Sequence, residues 1–321
     1  MPKEDYGTIL WSPTTGDLGQ PLIVQFMEWL NLKTQGPNIE NYDALWRWSV
    51  EEIDSFWQSI VDFFEVQLAG EYTDVVDGPI NNARWFKGTS VNFGEHVMRH
   101  AEHLEEAVIA VDEIGNRQSL SGSELRAHVA QLAHVMRTWG IGKGDVVASL
   151  MPNIPESLIA FLATTSVGAV WTSCSPDFGH SSVFDRFSQV NPKLLFAVDG
   201  YPFRGKWHDR REAVRKLHER LPSVEQVVVS QRGTNEFGDE TYRDWTRTLE
   251  HANPGPITWE TVPFDHPLWI LYSSGTTGLP KAIVHSHGGI LLEQHKLTGL
   301  QFDLSQGDRF FWHTTTGWMM W

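Results

Sequence analysis

The chain has 321 residues, enough to bury a sizeable core as one large domain or two ordinary ones, and its single cysteine, Cys174, excludes a disulfide-stapled miniprotein and fits a reducing, cytoplasmic setting. With 25 basic and 40 acidic residues the formal charge is −15, which repels phosphate-rich nucleic acid on average and argues against such a partner. No charged-then-apolar leader opens the sequence, and the best membrane candidate, Ser157 to Trp171, holds 15 residues interrupted by Thr164, Thr165 and Ser166, so no membrane partner is expected.

In chain order, the first region is loop-rich and aromatic, with Trp46, Trp48 and Trp57 near Phe56, Phe63 and Phe64. The stretch Ser49 to Phe64 places Ile53, Phe56, Trp57, Ile60, Val61 and Phe64 at steps of three and four. That spacing predicts one helix with a single apolar face, capped by Ser49 with Glu52 in the capping-box position. The texture changes between Val76 and Gly94, which sets the expected boundary between an N-terminal extension over 1–93 and a second domain over 94–321.

From Ala107 onward strand-like and helix-like segments alternate. The predicted strands are Val108 to Val111, Val146 to Met151, Ala169 to Thr172, Leu194 to Val198, Gln226 to Val229, Leu268 to Tyr272 and Ala282 to His285. Between them the predicted helices are Ser121 to Trp139, Pro155 to Val167, Ser181 to Val190, His208 to Arg220 and Gly289 to Leu297. Pro155 suits a first helical turn and Gly140 a helix stop. The alternation predicts an α/β fold, a layered and largely parallel sheet with helices on both faces, and it puts the chemistry beyond the carboxyl ends of the strands. Arg232 to Glu240, rich in Gly, Asn and Asp, reads as a surface loop.

The segment after the strand at Leu268 is Ser273-Ser274-Gly275-Thr276-Thr277-Gly278-Leu279-Pro280-Lys281. Its hydroxyls and backbone N–H groups can converge on one anion. Glycine admits the positive φ angles such a nest requires, Lys281 adds a point charge for phosphate, and Pro280 stiffens the exit. It is not a Walker A loop, because Pro280 and Ala282 flank Lys281 where that motif needs glycine and a hydroxyl residue.

Tyr272 to Lys281 resembles the signature loop of the adenylate-forming acyl-CoA synthetase superfamily, Tyr-Ser-Ser-Gly-Thr-Thr-Gly-x-Pro-Lys. Ala282-Ile-Val-His-Ser-His-Gly-Gly and Phe310-Phe-Trp-His-Thr-Thr-Thr-Gly-Trp-Met-Met-Trp321 resemble the acetoacetyl-CoA synthetases within it. Tyr42 to Phe64 and Arg84-Trp85-Phe86 are similar to the leading region of acetyl- and acetoacetyl-CoA synthetases, so the likeness spans nearly the whole chain. The resemblance implies a two-step ligation of a short-chain carboxylate, using ATP with Mg2+ to form an acyl-adenylate and then CoA to displace AMP. It implies that Ser273, Ser274, Gly275, Thr276, Thr277, Gly278 and Lys281 hold the β- and γ-phosphates, with Lys281 and Thr276 as the catalytic groups. It further implies that Trp318, Met319 and Met320 bound the acyl pocket. Acetoacetate is the expected acid, with acetate or propionate as the alternative within the class and a non-catalytic nucleotide-binding fragment outside it.

Arg204 and Lys206 stand where relatives meet the phosphates of CoA, and a solvated basic run explains them equally well. Ser175-Pro176-Asp177-Phe178-Gly179 departs from the Gly-rich stretch of acetyl-CoA synthetases. His285 and His287 have a His-x-His spacing, but the further ligands of a zinc site are not evident, so packing and hydrogen bonding are expected of them and no resident metal is. Cys174 is expected to be buried and inert. The oligomeric state stays open. The family's downstream segments for adenine, magnesium and ribose, and its mobile lysine domain, do not occur in this sequence. The chain therefore reads as an adenylation domain truncated on its C-terminal side, inactive by itself.

Overall fold

The structure, a computed structural model, describes residues 8, 19–33, 36–234, 237–238, 240–250, 252, 255–273 and 278–319. They divide into two compact units. One holds the described residues up to Val66 together with Leu292–Phe310, and the other holds Gln67–Leu291 with the residues from Phe311 onward.

The first unit carries helices α1 (Leu22–Leu32), α2 (Tyr42–Glu51) and α3 (Ile53–Phe63). The single helix expected from Ser49 to Phe64 is therefore two. Asn41 caps α2, its Oδ1 accepting from the Ala44 N–H at 3.0 Å, so Ser49 lies inside α2 and donates to the Trp46 carbonyl at 2.7 Å instead of capping anything. The chain breaks at Glu52, which leaves helical dihedrals (φ −113°, ψ 59°). The apolar face survives: Phe56, Ile60 and Val61 are buried, and Phe26 of α1 meets Phe56 and Phe63 edge-on at 6.5 and 5.1 Å. Helix α1 itself went unforeseen. In the same unit a π-helix, His295–Gln301, stands where the expected helix was to end at Leu297, and its Gly299 passes so close to the Phe64 ring that a Cβ would fall 2.6 Å from it.

The second unit is built on a seven-stranded sheet: β1 (Val146–Leu150), β2 (Val170–Ser173), β3 (Leu194–Val198), β4 (Gln226–Ser230), β5 (Arg243–Asp244), β6 (Pro267–Ser273) and β7 (Lys281–Ser286). Its spatial order is β5-β4-β3-β1-β2-β6-β7, every pairing parallel except β6 with β7. Continuous apolar runs such as Val227-Val228-Val229 are what a strand buried on both faces requires. Alternate residues go to opposite faces. Ala148, Leu150, Leu195, Ala197, Val227 and Val229 share one core with Val183 and Phe187 of α4 (His180–Phe187) and Val214 and Leu217 of α5 (Arg211–Arg220). Phe196 turns the other way to Trp245 at 5.8 Å, while Phe161 of the helix Pro155–Ser166 packs on Trp171 and Trp269. Helices thus cover both faces, as the alternation demanded. The helix Gly122–Thr138 starts on a full capping box, Ser121 with Glu124, and is followed by Gly140 at φ +72°.

Two expectations fail locally. Val108–Val111 does not join the sheet but pairs antiparallel with Arg117–Leu120, across a turn closed by Asp112 accepting from the Ile114 and Asn116 N–H groups. The helix expected from His208 begins only at Arg211. His208 and Asp209 belong to a second hairpin, Gly200–Phe203 with Lys206–Asp209, and the Asp209 carboxylate accepts from the Arg211 N–H at the helix start.

Candidate active site at the carboxyl ends of the strands

The last turnward residues of β6 are anchored firmly. The Tyr272 hydroxyl donates to the Arg186 carbonyl at 3.0 Å and lies 3.2 Å from Thr172 Oγ1, and burial pushes its pKa above the ordinary tyrosine value. Ser273 ends β6 and Lys281 begins β7, and the two are Cα partners in the antiparallel ladder. The segment between them therefore joins two antiparallel strands, with Ser273 and Lys281 held side by side. Strands lead into and out of it, so an anion held there would draw on N–H groups, hydroxyls and the lysine rather than on a helix terminus. Gly278 adopts φ +125°, which glycine alone tolerates cheaply, and the Pro280 carbonyl accepts from Gln189 Nε2 at 3.1 Å. Lys281 is exposed. Ser274, Gly275, Thr276 and Thr277 lie outside the described residues.

The second motif reaches the same edge of the sheet. Thr316, 2% exposed, donates its hydroxyl to the Met151 carbonyl at 2.6 Å just past β1, and its own carbonyl accepts from the Ser173 hydroxyl at the end of β2. Asn153 donates to the Thr314 carbonyl at 2.7 Å. Gly317 lies against the Ser175 backbone and the Phe178 ring, where a Cβ would fall 2.6 and 3.2 Å away. Because β2 is the immediate neighbour of β6, Thr316 and Ser273 belong to adjacent strand ends. Trp318 is 61% exposed and Met319 partly buried, while Met320 lies outside the described residues. Nothing local in the sequence announced that Thr316 would bond to Met151.

Arg204 and Lys206 sit elsewhere on that edge. They flank the tip of the hairpin that follows β3, and β3 is three strand positions from β6, roughly 14 Å at the usual spacing. Both are exposed. The Arg204 and Gly205 N–H groups donate to the two carboxylate oxygens of Glu113 at 2.8 and 3.1 Å, a contact with no local mark in either segment.

The remaining candidates are packed. His285 Nδ1 accepts from Trp269 Nε1 at 2.8 Å, and burial lowers its pKa. His287 is fully buried, accepts from the Phe93 N–H at 3.2 Å, and is held neutral down to about 3 by burial and then by nearby His266. Cys174 is fully buried, and burial pushes its thiol up to about 12. Among the described residues no helix is long and apolar enough to cross a membrane.

The largely parallel sheet thus carries the 273–281 connection at the end of β6 and the second motif docked on the neighbouring strand ends. The family described as AMP-binding enzyme matches residues 97–320, well over half of the chain, so the chain belongs to that family. The family described as acetyl-coenzyme A synthetase N-terminus matches residues 42–97. The acetoacetyl-coenzyme A synthetase of Rhizobium meliloti (strain 1021) is 39% identical over 320 residues, covering 97% of this chain and 48% of that protein. The acetoacetyl-CoA synthetase of Macaca fascicularis is 39% identical over 303 residues, 89% of this chain and 44% of its own length. The solved acetoacetyl-CoA synthetase from Streptomyces lividans superposes with a TM-score of 0.92 at 46% identity, over 97% of this chain and 48% of that one. The chain spans about half the length of the relatives it matches.

Proposed function

We propose that the protein carrying this chain joins acetoacetate to CoA at the expense of ATP, and that this chain supplies the phosphate-holding part of the site. A carboxylate oxygen attacks the α-phosphorus, an O–P bond forms, the α–β anhydride breaks and pyrophosphate leaves. The CoA thiol, losing its proton, then attacks the acyl carbon and AMP departs. In-line displacement at phosphorus is chiefly positioning and charge neutralisation, which a cradle of N–H groups, hydroxyls and a lysine can provide. In this reading Ser273 to Gly278 and Lys281 hold the β- and γ-phosphates, Trp318, Met319 and Met320 bound the acyl pocket, and Arg204 and Lys206 meet phosphates of CoA. Residues 1–93 form an extension and 94–321 the adenylating domain. Mg2+ enters as part of the ATP substrate. The buried Cys174 is compatible with a cytoplasmic setting.

The observation that carries this reading is the hydrogen bonding of Thr316 onto the ends of β1 and β2, beside the strand from which the phosphate loop springs. This bonding sets the segment around Thr316 on strand ends next to the one that Ser273 closes, which supports assigning the two segments to one site. The test is acetoacetate-dependent exchange of pyrophosphate into ATP, with acetate and propionate in parallel. Lys281→Ala should lower exchange by about 10²–10³-fold, as loss of one preorganised transition-state donor does, while leaving thermal stability unchanged because the side chain is exposed. Exchange equal to the parent's would sink the assignment.

A further inference from the structure

The hairpin after β3 turns through only two residues, Arg204 and Gly205, at φ +52° and +70°. Left-handed dihedrals at both central positions make this the mirror-image turn that suits the twist of paired strands. In such a turn the two central N–H groups take no ladder bond and point outward together. They form a small anion-holding nest, and Arg204 and Lys206 add two cations beside it. The nest is filled: Glu113 offers one carboxylate oxygen to each N–H, at 2.8 and 3.1 Å. Glu113 is itself set by a turn in which Asp112 accepts from Ile114 and Asn116, so the carboxylate is presented by a pinned loop.

A carboxylate on two adjacent N–H groups occupies the place that two oxygens of a phosphate group would take. We propose that Glu113 is an internal stand-in for phosphate at the Arg204–Lys206 turn, and that a phosphate of the incoming nucleotide thiol displaces it. Glu113 would thereby set the affinity of this subsite and favour highly charged phosphate over singly charged anions. The proposal rests on the reading that Arg204 and Lys206 receive phosphates of CoA. Every participant is solvent-exposed, so the contact is weak enough to be exchanged without unfolding anything.

The test is calorimetric titration with CoA, and separately with adenosine 3′,5′-bisphosphate, on the parent, Glu113→Gln and Glu113→Ala. Each is repeated in an Arg204→Ala/Lys206→Ala background. Removing the competing charge should tighten both ligands roughly two- to five-fold, the range an exposed pair allows. In the double-alanine background that gain should disappear, and melting temperatures should match throughout. In steady state KM for CoA should fall with kcat unchanged. Affinity that is unchanged or weaker in Glu113→Gln, or a gain that persists without Arg204 and Lys206, overturns the proposal, as does a parent that binds neither probe. Pyrophosphate exchange does not involve CoA and is followed in the same samples. Its presence with unaltered CoA affinity refutes the role of Glu113 alone, whereas its absence refutes the ligase reading.

Discussion

Gly317→Ala is the sharpest perturbation of the docked motif. A Cβ there would stand 2.6 Å from the Ser175 nitrogen, 3.2 Å from Phe178 Cζ and 3.3 Å from Cε2. The ring can tilt, but the contact at Ser175 is backbone, two residues beyond β2 and next to Cys174, whose N–H donates to the Ser149 carbonyl. To reach an ordinary contact of 3.4 Å the segment Thr316–Met319 must lift by about 0.8 Å. Thr316 resists that motion, because its hydroxyl is bonded to Met151 and its carbonyl to Ser173. Overpacking of this kind costs about 1–3 kcal/mol of stability. Misplacing a positioning group by ~1 Å costs about 10²-fold in rate, so acetoacetate-dependent exchange should fall by one to two orders of magnitude. Gly142→Ala is the control: nothing lies within 4 Å of its Cβ, and a change within about 0.5 kcal/mol is expected. Denaturant unfolding and exchange would be measured on both. Gly317→Ala indistinguishable from Gly142→Ala in both assays would show that the motif is not packed on the end of β2.

Met319→Trp should shift acid preference toward acetate by about 1–3 kcal/mol of discrimination, read as the ratio of kcat/KM values, if Met319 bounds the pocket; an unchanged ratio would remove it from the pocket. His287 stays neutral down to about 3 when folded, but titrates near 6.5 when unfolded, so between those values the unfolded chain binds the extra proton. Stability should therefore fall as pH drops through that window, by up to about 1.4 kcal/mol per pH unit, and His287→Asn should flatten the slope; parallel curves for the two proteins would contradict this. Cys174, buried with its thiol near 12, should resist a thiol reagent at pH 8 and react fully in denaturant, and prompt labelling of the native protein would refute its burial.

Much of the fold was legible because its signals are local. Strand runs such as Leu194 to Val198 consist of β-branched and apolar residues buried on both faces, and Ser121 with Glu124 announces a helix start within four residues. The helix boundary at Glu52 was not legible, because Asn41 competes with Ser49 as a cap from eight residues upstream, and a 3.6-residue period continues unbroken across the join. Val108 to Val111 reads like any sheet strand, since periodicity specifies a pleated, half-buried surface without naming the partner.

The chemistry divides in the same way. The hydroxyl- and glycine-rich segment ending at Lys281 is contiguous, so the sequence alone determined which residues stand together as candidates to hold an anion. Only the tertiary structure decided that β7 returns antiparallel and sets Lys281 beside Ser273, that Thr316 bonds to Met151 across 165 residues, and that Glu113 fills the Arg204–Gly205 turn across 91. A hydrogen bond between distant residues depends on where two independently folded backbones come to rest. Neither partner carries a local mark of the other, and only the packed sheet brings them within bonding distance.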